Sequence, residues 1–352
     1  MGRKEGPMEE IQFRNKIVWF TFFYSLLVIW VHSYNAVLFL GSTRLGYQMD
    51  WMERLLGNTA SQIAVPGFFL ISSYLFFRGF TMGKLWVKWK SRMRSVLVPY
   101  VVWNLLYYLG YVVGSRIPYL SEVIGKGKVP FTLSGAWDAV LNYTYNYVFW
   151  YLHQLILLIL LAPLIYMMMK TWQLGCLFLG VIFAVIYMGG FLPFLNLDAL
   201  LYYSFGAFSA IHGKKIAEGK WNRERFYAGA ALLAAAIFLY RFDFPGRLKG
   251  EMAASAVCFR LLTPTGLWLL APEGLLMEAK DWMKQNFFLY AAHFAIVRLV
   301  NKTGALLLPS VPAIPFLLFL FMPVLCVIIS YQAGRLLRWL LPPLWQVVNG
   351  GR

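Results

Sequence analysis

Residues 17–40 read IVWFTFFYSLLVIWVHSYNAVLFL, an apolar run containing one ionisable side chain, His32. A helix rises about 1.5 Å per residue, so about 20 apolar residues cover a hydrocarbon core of about 30 Å. The run is therefore predicted to cross a bilayer as one helix. An ionisable group inside such a span costs free energy unless it faces a bundle interior or a wet cavity. His32 has two readings on this ground: a functional group, or a neutral imidazole bonded to a neighbouring helix and serving packing alone.

Working outward, 60% of the 352 residues are hydrophobic and only 13% charged. Little polar material is left for a soluble domain, and the chain reads as an all-α polytopic membrane protein forming a single domain over residues 1–352. The net charge of +17 would suit nucleic acid, but the basic residues fall in short loops between apolar runs. The cytoplasmic bias of Lys and Arg explains that placement, so the expected surroundings are a lipid bilayer and no nucleic acid. Cys176, Cys258 and Cys326 lie in apolar runs with no paired or metal-ligand spacing. There is no HExxH pair, phosphate-cradling Gly-rich loop or nucleophile elbow, and no metal is expected.

The expected spans are 17–40, 59–80, 93–114, 146–169, 174–191, 197–211, 226–240, 252–270, 287–308 and 314–337, about ten transmembrane helices. Arg14 and Lys16 precede the first, and the densest basic loop, with Lys84, Lys88, Lys90, Arg92 and Arg94, follows the second. Both termini are thereby placed in the cytoplasm. The loop 41–58 and the longer segment 115–145 then lie outside, the latter with a helix around Trp137. Pro66-Gly67 is expected to bend the second helix and open space beside it. The fourth span opens YNYVFWYLHQ, with Trp150 in an aromatic belt over His153 and Gln154.

Several stretches carry a family likeness: LLVIWVHS (26–33), VPGFFLISSYLFF (65–77), KWKSRMRSVLVPYVVW (88–103) and NFFLYAAHF (286–294), with FWYLHQLILLILLAPLI (149–165) and YYSFGAFSA (202–210) between them. In this order and spacing they resemble the membrane-bound acyltransferase 3 family of multi-pass bacterial acyltransferases. The resemblance implies transfer of an acyl group, commonly acetyl, from cytoplasmic acyl-CoA (acetyl-CoA) to an acceptor hydroxyl at the outer face of the bacterial cytoplasmic membrane. That acceptor is a cell-envelope glycan or a lipid-linked saccharide. It also implies that His32 is catalytic, as general base or transient acyl acceptor, a task suited to a side chain titrating near neutrality. Arg92 matches a basic family position and, with Arg94 and Lys88, is expected to bind the coenzyme phosphates.

Depth adds a further expectation. His32 lies about 22 Å along the first helix from its inner end. The pantetheine arm is therefore expected to thread beside the second helix at Ser72 and Ser73, with Trp150, His153 and Arg260 also placed along the substrate path. His153 should lie at a depth comparable to His32, while His293 is read as structural and His212 as a helix-end residue. Arg260 and Arg298 are expected either to counter substrate charge or to pair with Asp243 or Glu251. The chain departs from the family pattern at Thr21, where a cation is usual, at Ser73 in place of glycine, and at Ser95 in place of a basic residue. A glycan exporter and a non-catalytic membrane sensor therefore stand as alternatives.

Overall fold

A computed structural model describes residues 6–240 and 250–351, and Asp243 falls outside that range. Apart from one bridge between Pro7 and Gly219, the regular structure among the described residues is helical. The helices of the first half are α1 (Glu10–His32), α2 (Ala36–Leu40), α3 (Arg44–Gly57), α4 (Ala64–Phe77), α5 (Leu85–Arg92), α6 (Val98–Gly114), α7 (Pro118–Ile124), α8 (Leu133–Leu141) and α9 (Trp150–Leu160). There follow α10 (Ala162–Met168), α11 (Trp172–Tyr187), α12 (Leu197–Ile211), α13 (Lys214–Glu218), α14 (Arg223–Leu239), α15 (Gly250–Leu270), α16 (Asp281–Lys284), α17 (Asn286–Leu307), α18 (Ala313–Leu340) and α19 (Pro342–Val348).

Among the described residues, five segments are long and apolar enough to cross a membrane: Glu10–Leu40, Arg44–Phe77, Met82–Gly114, Gly250–Leu270 and Ala313–Leu340. A sixth joins them if the pair Tyr147–Leu160 and Ala162–Met168, bent by 64°, counts as one span. The chain is a multi-pass membrane protein. A helix occupies each of the ten stretches expected to span, yet among the described residues these five or six have the length and hydropathy for crossing.

The local structure differs from expectation where polar residues and proline intervene. The first span is not continuous, because α1 ends at His32 and the chain runs non-helically through Ser33, Tyr34 and Asn35 before α2. The loop expected at 41–58 holds α3, whose Tyr47, Trp51 and Met52 are exposed while Glu53 is buried. Its apolar side therefore faces outward and its carboxylate inward. The basic loop after the second span contains α5, with Trp86 and Val87 exposed beside the lysines, a pattern suited to a membrane surface. The fourth span breaks at Leu161, and Pro163 sits in the first turn of α10, where its missing N–H breaks no helical bond.

Packing divides the described residues into two compact units, each assembled from three stretches of chain. One comprises Met1–Tyr24, Asn58–Trp89 and Leu157–Lys284. Small residues let its helices approach closely, as is usual where lipid supplies no hydrophobic drive between helices. A Cβ at Gly206 of α12 would lie 2.7 Å from the Leu70 carbonyl oxygen of α4. Gly229 of α14 and Gly266 of α15 meet reciprocally, each Cβ position being within 2.9 Å of the other's carbonyl oxygen. At the end of α4, Arg78 Nε and Nη2 donate to Glu218 at 2.7 and 2.9 Å, and the Tyr74 hydroxyl donates to the same carboxylate at 2.6 Å. Burial works against the Glu218 charge, but these hydrogen bonds outweigh it and hold the carboxyl below its ordinary value. Lys16, expected only as an orienting charge, is buried with Nζ donating to the Ala271 carbonyl at 2.6 Å and lying 4.7 Å from the Trp268 ring centre.

The Pro66-Gly67 pair falls at the start of α4, where a proline breaks no helical bond. Pro66 stands in the first turn of α4, and the space at Gly67 is taken by the Tyr24 ring, whose Cε2 would be 2.3 Å from an added Cβ. Gly67→Ala is therefore expected to destabilise the protein by about 1–3 kcal/mol through overpacking. Thermal unfolding in detergent measures this, and an unchanged midpoint would mean that Tyr24 swings aside freely.

The second unit comprises Ser25–Gly57, Lys90–Ile156 and Gln285–Arg352. Its centre is α17, packed along α18, with the Tyr107 hydroxyl of α6 donating to the Ala291 carbonyl at 2.9 Å. Phe288 packs on Trp345 of α19, and Trp103 Nε1 closes that corner by donating to the Val348 carbonyl at 2.8 Å. The helix expected around Trp137 is α8, capped by the Thr132 hydroxyl, which accepts from Gly135 N at 3.1 Å.

Candidate functional site

The site lies wholly within the second unit and begins with the end of α1. After His32 the chain leaves helical geometry, so the free N–H groups that follow need partners. Glu53 supplies them: its Oε2 accepts from Asn35 N at 2.9 Å and from Ala36 N at 3.2 Å. Asn301 of α17 secures the other side, donating to the Ser33 carbonyl at 3.2 Å and accepting from Asn35 Nδ2 at 3.0 Å. Glu53, Asn35 and Asn301 are all buried, so this break in the span is a built feature of the interior.

The break leaves the His32 ring against three side chains. Its Nδ1 is 2.9 Å from the Tyr147 hydroxyl, its centroid is 5.5 Å from that of His293, and Phe294 closes the group at 6.2 Å from His32 and 4.7 Å from Tyr147. Tyr147 is placed by the short turn Tyr147–Phe149, which is held where the Tyr290 hydroxyl of α17 donates to the Val148 carbonyl at 2.8 Å. His293 is fully buried, with Nδ1 2.5 Å from the Tyr290 carbonyl. A carbonyl only accepts, so this nitrogen carries the proton and Nε2 keeps its lone pair. That Nε2 is buried with no hydrogen-bond partner among the described residues. With the His32 proton on Nδ1, the ring donates to the Tyr147 oxygen and Nε2 is likewise basic.

The histidine beside His32 is therefore His293, read from the sequence as structural, and not His153. The His153 ring stacks near Tyr143 and Tyr100 at 5.4 and 6.4 Å, and its Nδ1 is buried without a partner. Trp150 opens α9 and is half-buried. Ser73 is a helix-packing residue: its hydroxyl donates to the Tyr203 carbonyl at 2.5 Å and its Cβ lies under Gly206. A cavity of about 440 Å³ does run beside α4, but its wall is made by Gly67, Leu70, Ile71 and Tyr74 with Phe205 and Trp268, not by Ser72 or Ser73. That lining is almost wholly apolar. Its Ser209 and Thr265 hydroxyls are spent on their own helix carbonyls, at 2.8 Å each.

Arg260 pairs with Asp198 at 3.6 Å, and Asp243, one of the partners expected for it, lies outside the described residues. Arg298 donates to the Tyr111 hydroxyl at 2.6 Å and the Ile124 carbonyl at 3.2 Å. Lys88 Nζ donates at 3.4 Å to the Leu75 and Arg78 carbonyls at the end of α4, where a cation meets the helix dipole favourably. Arg94 is exposed and Arg92 half-buried. Thr21 turns its hydroxyl back onto the Ile17 and Val18 carbonyls at 2.8 and 3.1 Å. His212 Nε2 meets the Met169 carbonyl at 2.8 Å, which binds a helix end to a neighbouring turn.

A multi-pass helical membrane protein with a paired-histidine centre at a broken span is the class these features define. The acyltransferase 3 family model, described as an acyltransferase domain, matches residues 22–332, and the chain belongs to that family. It is 24% identical over 350 residues to the succinoglycan biosynthesis protein ExoH of Rhizobium meliloti (strain 1021), covering 92% of this chain and 89% of that protein. No solved structure matches the chain.

Proposed function

We propose that the protein moves an acyl group from cytoplasmic acyl-CoA to a hydroxyl of a cell-envelope polysaccharide or its lipid-linked precursor, at the outer face of the bacterial cytoplasmic membrane. The carrying observation is the His32 centre: a histidine at the end of a broken span, bonded through Nδ1 to Tyr147 and set beside the unpartnered Nε2 of His293. Family membership supports acyl transfer, and the similarity to a succinoglycan biosynthesis protein supports a polysaccharide acceptor. In this reading ten helices cross the membrane with both termini inside, and acetyl is the group moved.

The chemistry follows from the nitrogens. His32 Nε2 takes the proton of the acceptor hydroxyl as its oxygen attacks the thioester carbonyl carbon. The C–S bond then breaks, the acyl group stays on the acceptor oxygen as an ester, and the imidazolium returns its proton to the departing thiolate. Tyr147 orients the ring through Nδ1, so that in the Nδ1–H tautomer Nε2 faces the acceptor as base, and His293 Nε2 can accept from a neighbouring hydroxyl of the same sugar. The test is transfer of labelled acetyl from acetyl-CoA to polysaccharide by the protein in proteoliposomes, with donor on the cytoplasmic side. In the same preparation Arg92→Ala is expected to weaken coenzyme A binding about tenfold, more than Lys84→Ala, as loss of a bidentate phosphate contact would. Equal small losses would reduce the basic segment to a diffuse positive field.

A further inference from the structure

On α17, Phe294, Arg298 and Lys302 recur every four residues and so form one stripe on the helix surface. Phe294 packs on both Tyr147 and His32, and the Arg298 guanidinium lies 5.7 Å from the Phe294 ring centre. The stripe thus leads directly away from the His32 centre. Arg298 also lies 5.8 Å from the Tyr111 ring, and Lys302 Nζ reaches the Glu122 main-chain carbonyl at 3.5 Å. From the segment after α7, Lys126 Nζ lies 5.4 Å from both the Tyr111 and the Tyr145 rings. Gly125 brings that segment close, since its Cβ position is only 3.4 Å from Lys302 Nζ.

Arg298 and Lys126 thus meet at the Tyr111 ring, with Lys302 one turn further along α17, and their contacts are with neutral groups: rings, a phenol and main-chain carbonyls. Cations held without a carboxylate are compensated more fully by an anion brought from outside. Tyr147, half exposed, and Tyr145, partly buried, offer ring surface to the apolar faces of a sugar. Resting on the acyltransferase reading above, we infer that Lys126, Arg298 and Lys302 form a subsite for an anionic group, carboxylate or phosphate, on the saccharide acceptor. The subsite selects acidic glycans and fixes which hydroxyl meets His32. Its place on α17, reached outward from His293 through Phe294, is the side from which the acceptor arrives in that reading.

The test uses proteoliposomes with three acceptors of equal length: a neutral oligosaccharide, one containing a uronate, and a neutral one on a polyprenyl diphosphate. The variant is Lys126→Gln with Lys302→Gln, since Arg298 also braces Tyr111. KM for an anionic acceptor is expected to rise about tenfold or more, as for loss of charge-assisted hydrogen bonds, with kcat nearly unchanged and no effect on the neutral acceptor. A response confined to the uronate assigns a carboxylate, and one confined to the diphosphate assigns a phosphate. Without donor present, equilibrium binding of the uronate oligosaccharide to His32→Ala protein, with and without the lysine changes, reads the subsite independently of catalysis. Equal KM changes for neutral and anionic acceptors, no change in any, or a dependence on charge in the acyl group alone would overturn the subsite. Failure of wild-type protein to transfer to every acceptor while uronate binding still depends on the lysines would overturn the acyltransferase reading and leave the anion subsite standing.

Discussion

His32→Ala is expected to lower acyl transfer by about 10²–10⁴-fold, the range for removing a positioned general base, while the protein still folds and inserts. The ring is only half-buried and its one hydrogen bond is to the Tyr147 hydroxyl, so little stability is at stake. Tyr147→Phe should keep the edge-to-face contact with Phe294 but remove the hydrogen bond that orients the His32 ring, giving a smaller loss carried mainly by kcat. His293→Asn separates the two histidines: it retains a polar group in the buried site yet removes the basic Nε2. Activity per folded molecule is the deciding quantity, from initial rates normalised to monodisperse protein. If His32→Ala unfolds but retains its specific activity, the histidine serves packing and the centre is elsewhere.

The second large effect falls on Glu53. Truncation to alanine leaves the Asn35 and Ala36 N–H groups buried without an acceptor, at about 1–3 kcal/mol for each unsatisfied group. Glu53→Ala should therefore lower the thermal midpoint strongly and also impair transfer, because the break it clamps begins at the residue after His32. Glu53→Gln keeps an acceptor oxygen in place and should recover most of the stability. A Glu53→Ala protein with wild-type stability would show that the break is held by Asn301 alone. Full activity in a destabilised variant would separate the clamp from catalysis.

The sequence by itself determined the class. A chain that is 60% hydrophobic, with its charges gathered between long apolar runs, has no other way to satisfy its backbone than as membrane-embedded helices. Hydropathy is summed locally, so helix positions were legible too: the stretch 197–211 read as a span is the helix Leu197–Ile211 to the residue. His32 was conspicuous for the same reason, one ionisable group against an apolar background, and the ordered motifs of the first, second, third and ninth stretches led to the family.

What the tertiary structure alone decided is which side chains meet. His293 and His153 were equivalent as isolated histidines in apolar helices, and only the fold puts the first against His32 and the second among Tyr100 and Tyr143. Glu53 lay in a stretch read as loop, where the four-residue spacing of Tyr47, Trp51 and Leu55 was an available signal for a helix but gave no hint that the polar side faces inward. Ser73 looked like room for a ligand and is instead where helices touch, while Gly67 both receives the Tyr24 ring and lines the cavity beside α4, because a small residue leaves the same pattern whether a void or a neighbouring side chain fills the gap. Arg260 and Arg298 likewise found partners far off in sequence, Asp198 for one and Tyr111 for the other. Periodicity reports which face of a helix is apolar, since that is fixed by residues a few places apart. Pairing across helices depends on long-range packing in which each buried polar group must find its own partner, and no local pattern encodes that choice.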